Sequence, residues 1–120
     1  MKLCSACLLG IKCRYDGKSK PRKSVIKLAK KEILIPVCPE QLGGLPTPRQ
    51  PSERKGEKVI MKGGRNVTEN FRRGGRSVLK ISKILGVKSV IFKEKSPSCG
   101  SAGVATEILR KNGIKVVFHA

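Results

Sequence analysis

Gly86-Val87-Lys88-Ser89-Val90-Ile91-Phe92-Lys93-Glu94-Lys95-Ser96-Pro97-Ser98-Cys99-Gly100 decides how this chain folds. A helix-ending glycine leads into the apolar run 87–92, which reads as a strand, and then into a Ser-Pro turn that ends on a cysteine. Upstream, Phe71, Val78, Leu79, Ile81, Ile84 and Leu85 recur at helical intervals, with Thr68 placed to cap the helix. Gly74-Gly75 inside it costs about 1 kcal/mol per glycine relative to alanine. Close packing against a loop or a bound group accounts for such a pair, and so does a break between two helical pieces. Downstream, a helix over 103–112 and a strand over 114–118 complete the pattern.

The amino-terminal half repeats the alternation. Residues 3–9 read as a first strand ended by Gly10, and 11–23 as a basic, turn-rich stretch with Asp16-Gly17 at its tightest point. Ser24 is placed to cap a short helix carrying Val25, Ile26, Leu28 and Ala29. Residues 33–37 read as a second strand, which Pro36 assigns to a sheet edge or a strand end. Glycines and prolines make 38–49 irregular, Pro51 prolongs that path, and 58–61 form a short strand or hairpin arm. The expected fold is α/β: a single domain over 1–120 with a small, mostly parallel, Rossmann-like sheet covered by helices.

Composition narrows the function classes. No run approaches the ~20 apolar residues of a membrane span, and the start lacks the pattern of a signal peptide. The expected setting is the cytoplasm, away from membranes, where thiols stay reduced; five cysteines are then a surplus. Twenty-seven Lys and Arg against eight Asp and Glu give a formal charge of +19, spread as a coat rather than a tail. Unmatched charge of this size fits RNA, DNA or a nucleotide-like substrate, or else a solvated basic surface.

Cys7 near the end of the first strand, Cys38 just after the second and Cys99 after a later one fall where open α/β sheets bind ligands. Three thiolates suit a soft metal centre with one position open, iron–sulfur or zinc alike; unrelated core thiols are the alternative. Cys4 is expected in the core, and Cys13, beside Arg14, is a secondary candidate for the metal site.

Ser5-Ala6-Cys7-Leu8-Leu9-Gly10, Cys13-Arg14-Tyr15-Asp16-Gly17, Pro36-Val37-Cys38-Pro39-Glu40-Gln41-Leu42-Gly43-Gly44 with Pro48-Arg49, Gly64-Arg65-Asn66-Val67-Thr68, and Lys95-Ser96-Pro97-Ser98-Cys99-Gly100 follow one another in an order that resembles the DUF523 family along nearly the whole chain. Members include thiouracil desulfidases, in which three cysteines hold a [4Fe-4S] cluster whose fourth iron is open to the substrate sulfur. The resemblance implies Cys7, Cys38 and Cys99 as ligands, a thiolated pyrimidine or nucleotide as substrate, and hydrolytic exchange of sulfur for oxygen. Glu40 is then the candidate base for the attacking water, or a turn or helix cap. Ser96 and Ser98 either hold the pyrimidine oxygen or a proton donor near Cys99, or stabilise the Ser-Pro turn. Tyr15 is a candidate for stacking on a base, and Arg14 and Arg49 for holding a phosphate or carboxylate; packing and surface charge are their alternatives. The chain departs from the family pattern after Gly100, where an extension with Tyr-Asp-Gly and Phe-Ser-Gly elements is missing, and Asn66 stands for the usual Asp. A more open pocket, a larger substrate such as thiolated tRNA, or a cluster-bearing protein without turnover are the consequences to distinguish.

Overall fold

The computed structural model describes residues 1–119. Strands β1 (Lys2–Ser5), β2 (Leu34–Val37), β5 (Ser89–Lys93) and β6 (Lys115–His119) form a parallel sheet in the order β2-β1-β5-β6. Helices α1 (Lys23–Ala29), α3 (Thr68–Leu85) and α4 (Val104–Lys111) join its strands, with a one-turn helix α2 (Pro39–Leu42) after β2. An antiparallel hairpin, β3 (Ser52–Lys55) and β4 (Lys58–Met61), stands between α2 and α3. The expected α/β architecture with a parallel sheet is what forms.

Alternation along the strands assigns the two faces. Leu3, Val90, Phe92 and Val116 pack with Val78 of α3 and with Ala105 and Leu109 of α4. Cys4 and Ile91 point the other way and pack with Leu8 and with Val25 of α1. Cys4 is therefore a core residue, fully buried as expected. Pro36 sits on edge strand β2, opposite Cys4, where a missing N–H costs the sheet no internal hydrogen bond.

Several local expectations are corrected. The first strand stops at Ser5, and Ala6–Leu9 form a 3₁₀ turn closed by Gly10 at φ 94°. A short apolar run does not by itself separate a strand from a helical turn. Here the basic stretch folds back so that Lys20 and Arg22 donate backbone N–H groups to the carbonyls of Cys7 and Leu8, both at 3.0 Å. Helix α1 begins at Lys23, before Ser24, and has no side-chain cap. Thr68 likewise lies inside α3; Asn66 Oδ1 accepts the Thr68 N–H at 3.0 Å, and Thr68 Oγ1 instead accepts the Val59 N–H at 2.9 Å. The segment after Cys38 is not wholly irregular, since Pro39 is suited to the first position of α2.

Helix α3 runs unbroken through Gly74-Gly75, so close packing accounts for the pair. A Cβ on Gly74 would lie 1.9 Å from the Pro39 carbonyl oxygen, and one on Gly75 would lie 3.1 Å from Ala105 Cα. The first contact seats α2, and with it the Cys38 loop, directly on α3.

Candidate functional site

The carboxyl ends of β1, β2 and β5 open onto a cavity of about 210 Å³. Chain direction around β1 creates the opening: β2 is added on one side of β1 and β5 on the other, so their following loops diverge and leave a crevice. The 3₁₀ turn brings Cys7, α2 brings Cys38 and Glu40, and the loop after β5 brings Ser98 and Cys99 to its walls. Cys13, Arg14, Tyr15, Arg49 and Ser96 line it too, so every sequence-selected site residue reaches one cavity.

Electrostatics separate the sulfurs. Cys13 packs with Cys7 and Cys38, and the closeness of its thiol is the main cause that lowers the pKa of each partner. Cys38 falls to about 7, helped by the Gln41 backbone N–H and Arg49 against the opposing effect of burial. Cys7 is helped by Lys93 and Arg14. Cys13 itself is pushed up by the same neighbours, first Cys38 and then Cys7. Burial raises Cys99 to about 12, against the lowering effect of the Ser5 and Ser98 hydroxyls. Among the described residues, no three His, Cys, Asp or Glu side chains are grouped so as to hold a metal ion.

Glu40 is held from two sides. Arg49 Nε donates to Oε1 at 3.3 Å, and Ser98 Oγ donates to Oε2 at 3.4 Å. Ser98 is buried and its hydroxyl also lies 3.6 Å from Cys99 Sγ, which links the acid to the third cysteine. Ser96 Oγ accepts the N–H groups of Ser98 at 3.2 Å and Cys99 at 3.1 Å, the turn-stabilising arrangement open to it from sequence. The Arg49 side chain is 2% exposed, and all three nitrogens are engaged: with Glu40, with Pro46 and Thr47, and with the Cys13 carbonyl at 3.2 Å. Tyr15 is exposed at the rim with the Arg14 guanidinium 5.6 Å from its ring centre, while Arg14 also pairs with Asp16.

Sequence reasoning missed Ser5 and Lys93, which also line the cavity. Their signal was position alone, at the carboxyl ends of β1 and β5. Ser5 Oγ accepts the Lys93 N–H at 3.0 Å, tying the two strand ends together. Burial, followed by the charge of Arg14, lowers the Lys93 pKa.

The loop carrying Cys99 sits on α4 with no intervening segment. Ser98 O accepts the Ala105 N–H at 3.0 Å, and Cys99 O accepts the Thr106 hydroxyl at 2.9 Å. A Cβ on Gly103 would lie 2.4 Å from Ser98 O, so only glycine permits this approach. A model of the family described as 2-thiouracil desulfurase matches residues 3–119. The chain belongs to that family. Among family relatives, the uncharacterized protein YbbK of Bacillus subtilis is 34% identical over 98% of this chain and 94% of its own length. That alignment is longer than the chain, so part of the relative has no counterpart here, in keeping with the missing extension. A solved structure, the [4Fe-4S]-dependent thiouracil desulfidase TudS, shares 38% identity with a TM-score of 0.92, covering 98% of this chain and 89% of that one. TudS also carries the DUF523 designation, so the resemblance seen in the motifs is borne out. Among the described residues no helix is long and apolar enough to cross a membrane.

Proposed function

We propose that this chain removes sulfur hydrolytically from thiouracil or a related thiolated pyrimidine, using a [4Fe-4S] cluster held by Cys7, Cys38 and Cys99. The observation that carries the reading is that three cysteines from three strand ends line one cavity with a doubly held glutamate. The donor set fits the cluster: thiolates are its ligands, and the three cysteines that would hold it are free thiols on the walls of the one cavity. When bound, the cluster supplies a Lewis-acidic iron that polarises the carbon–sulfur bond. Glu40 takes a proton from the attacking water, oxygen replaces sulfur on the ring carbon, and sulfur leaves as hydrosulfide. Arg49 and Ser98 fix the Glu40 carboxyl for that transfer, so Arg49 serves as a positioning residue. Ser98 is close enough to both Glu40 and Cys99 to pass a proton to the departing sulfur or to the ring. Ser96 shapes the turn that presents Ser98. Tyr15, braced by Arg14, offers a stacking surface at the rim for the pyrimidine.

The test is anaerobic reconstitution followed by incubation with 4-thiouracil, its nucleoside and nucleotide forms, and thiolated tRNA. About four irons and four sulfides per chain are expected, with hydrosulfide and the oxygen-containing pyrimidine formed in equal amounts. Cys99→Ala should lose the cluster. Glu40→Gln should keep it and slow turnover by about 10²–10⁴-fold. One bound zinc without sulfide would overturn the cofactor, and a loaded protein inactive on every substrate would overturn the reaction.

A second reading concerns the size of the substrate. Lys93 and Arg14 line the cavity, Lys95 borders it, and Lys20 and Arg22 stand near enough to depress the Lys93 pKa. Within a chain of +19, this cationic mouth favours a phosphate-bearing substrate, a nucleotide or tRNA, over the free base. Affinity for tRNA should then exceed that for nucleotides and fall steeply with salt. Equal turnover of free base and nucleotide, with no binding to tRNA at low salt, would remove this reading.

A further inference from the structure

Cys13 is the sulfur that the proposed reaction leaves without a task. It is 3% exposed, lines the same cavity as the three proposed ligands, and packs in one buried cluster with two of them, Cys7 and Cys38. Ordinary core packing does not require this placement, because both backbone groups of Cys13 are separately tethered. Its N–H donates to the Ile11 carbonyl at 2.9 Å, and its carbonyl accepts from Arg49 Nη2 at 3.2 Å. The Cys38 thiol also reaches that carbonyl, at 3.8 Å. A ligating Cys38 has no proton left to give, and Arg49 keeps the Cys13 carbonyl satisfied in that state. Cys13 is thus fixed in place whether or not its neighbours bind metal.

We propose that Cys13 is a positioning residue whose thiol donates its hydrogen bond to the sulfur of Cys7 or Cys38 and raises the reduction potential of the centre they hold. The inference rests on the ligand set proposed above. A donor aimed at a ligating sulfur withdraws electron density from it and stabilises the more negatively charged, reduced state. A sulfur donor of this kind adds no charge to the cavity, unlike Lys93 or Arg14, and leaves the fourth coordination position free for substrate.

The experiment compares the anaerobically reconstituted parent with Cys13→Ala, Cys13→Val and Cys13→Ser. Iron and acid-labile sulfide are measured first, and the midpoint potential is then taken by a redox titration followed through absorbance and electron paramagnetic resonance. All three variants should keep the parent's iron content. Alanine and valine should shift the potential to more negative values, and serine, whose hydroxyl also donates, should restore most of the parent's value. Valine fills the space without a donor and gives the same reading if the alanine chain does not fold. A parent potential in the alanine or valine variant overturns the inference. Loss of iron from all three variants, as from Cys99→Ala, also overturns it by making Cys13 a ligand. A parent chain that binds no iron–sulfur cluster overturns the ligand set itself, and this inference with it.

Discussion

Two regions of this molecule hold acid–base pairs in opposite ways. At the carboxyl ends of the strands, Arg49 and Glu40 are paired with side chains only 2% and 14% exposed. On the flank built by the hairpin, α3 and α4, Arg76 pairs with Glu69 at 55% and 63% exposure, and Arg54 and Lys111 share Glu107. Water screens the second set, so its pairs chiefly moderate a surface crowded with cations. The first pair is dry enough that each partner depends on the other. With eight acids against twenty-seven bases, placing one acid inside the cavity is a commitment to chemistry rather than to solubility. The hydrogen bonds from Arg49 and Ser98 give that acid a fixed direction.

This contrast predicts graded responses. Arg49→Met should cost the most, about 3 kcal/mol of stability, because it strands the Glu40 carboxyl and leaves the carbonyls of Cys13 and Pro46 without that donor. Denaturant titration of the cluster-free chain measures the loss, and a parent-like midpoint would show that the pair is effectively solvated. Gly74→Ala should come next, at about 2 kcal/mol net. Overpacking against Pro39 outweighs the roughly 1 kcal/mol that alanine returns to a helix. Its informative readout is cluster retention, since the displaced α2 carries Cys38. Full iron content with unchanged stability would mean that α2 moves freely on α3.

Ser98→Ala should lose about 1–2 kcal/mol, and it should slow turnover more than it weakens cluster binding, because it unties Glu40 from Cys99. Equal losses in iron and rate would assign Ser98 to the architecture of the turn alone. The smallest response belongs to the flank. Arg76→Ala should leave the melting temperature and turnover of free thiouracil unchanged. A marked loss in either would erase the distinction between the two regions.

Much of the candidate site was legible because its residues follow strand ends, and strand ends are marked by local sequence. Cys38 after residues 34–37 and Cys99 in a Ser-Pro turn after β5 are such cases, and the apolar periodicities around them give the α/β order. Cap assignments were less legible. Thr68 has the chemistry of a cap, yet a neighbouring strand supplies its donor, and nothing within a few residues of Thr68 records that Val59 lies beside it.

The sequence by itself therefore determined the alternation of strands and helices, the place of Pro36 at a sheet edge or a strand end, the burial of Cys4 and the set of cysteines at strand ends. These follow from short-range patterns, since apolar period and turn chemistry act within a few residues. Only the tertiary structure decided that Arg49 turns inward to hold Glu40, that Gly74 makes room for the Pro39 carbonyl, and that Cys13 packs with Cys7 and Cys38. Each of these depends on two segments meeting after the chain has closed. A guanidinium, a missing Cβ or a thiol carries no local signal of which partner it will face, because that partner is fixed by the packing of the whole sheet and its helices.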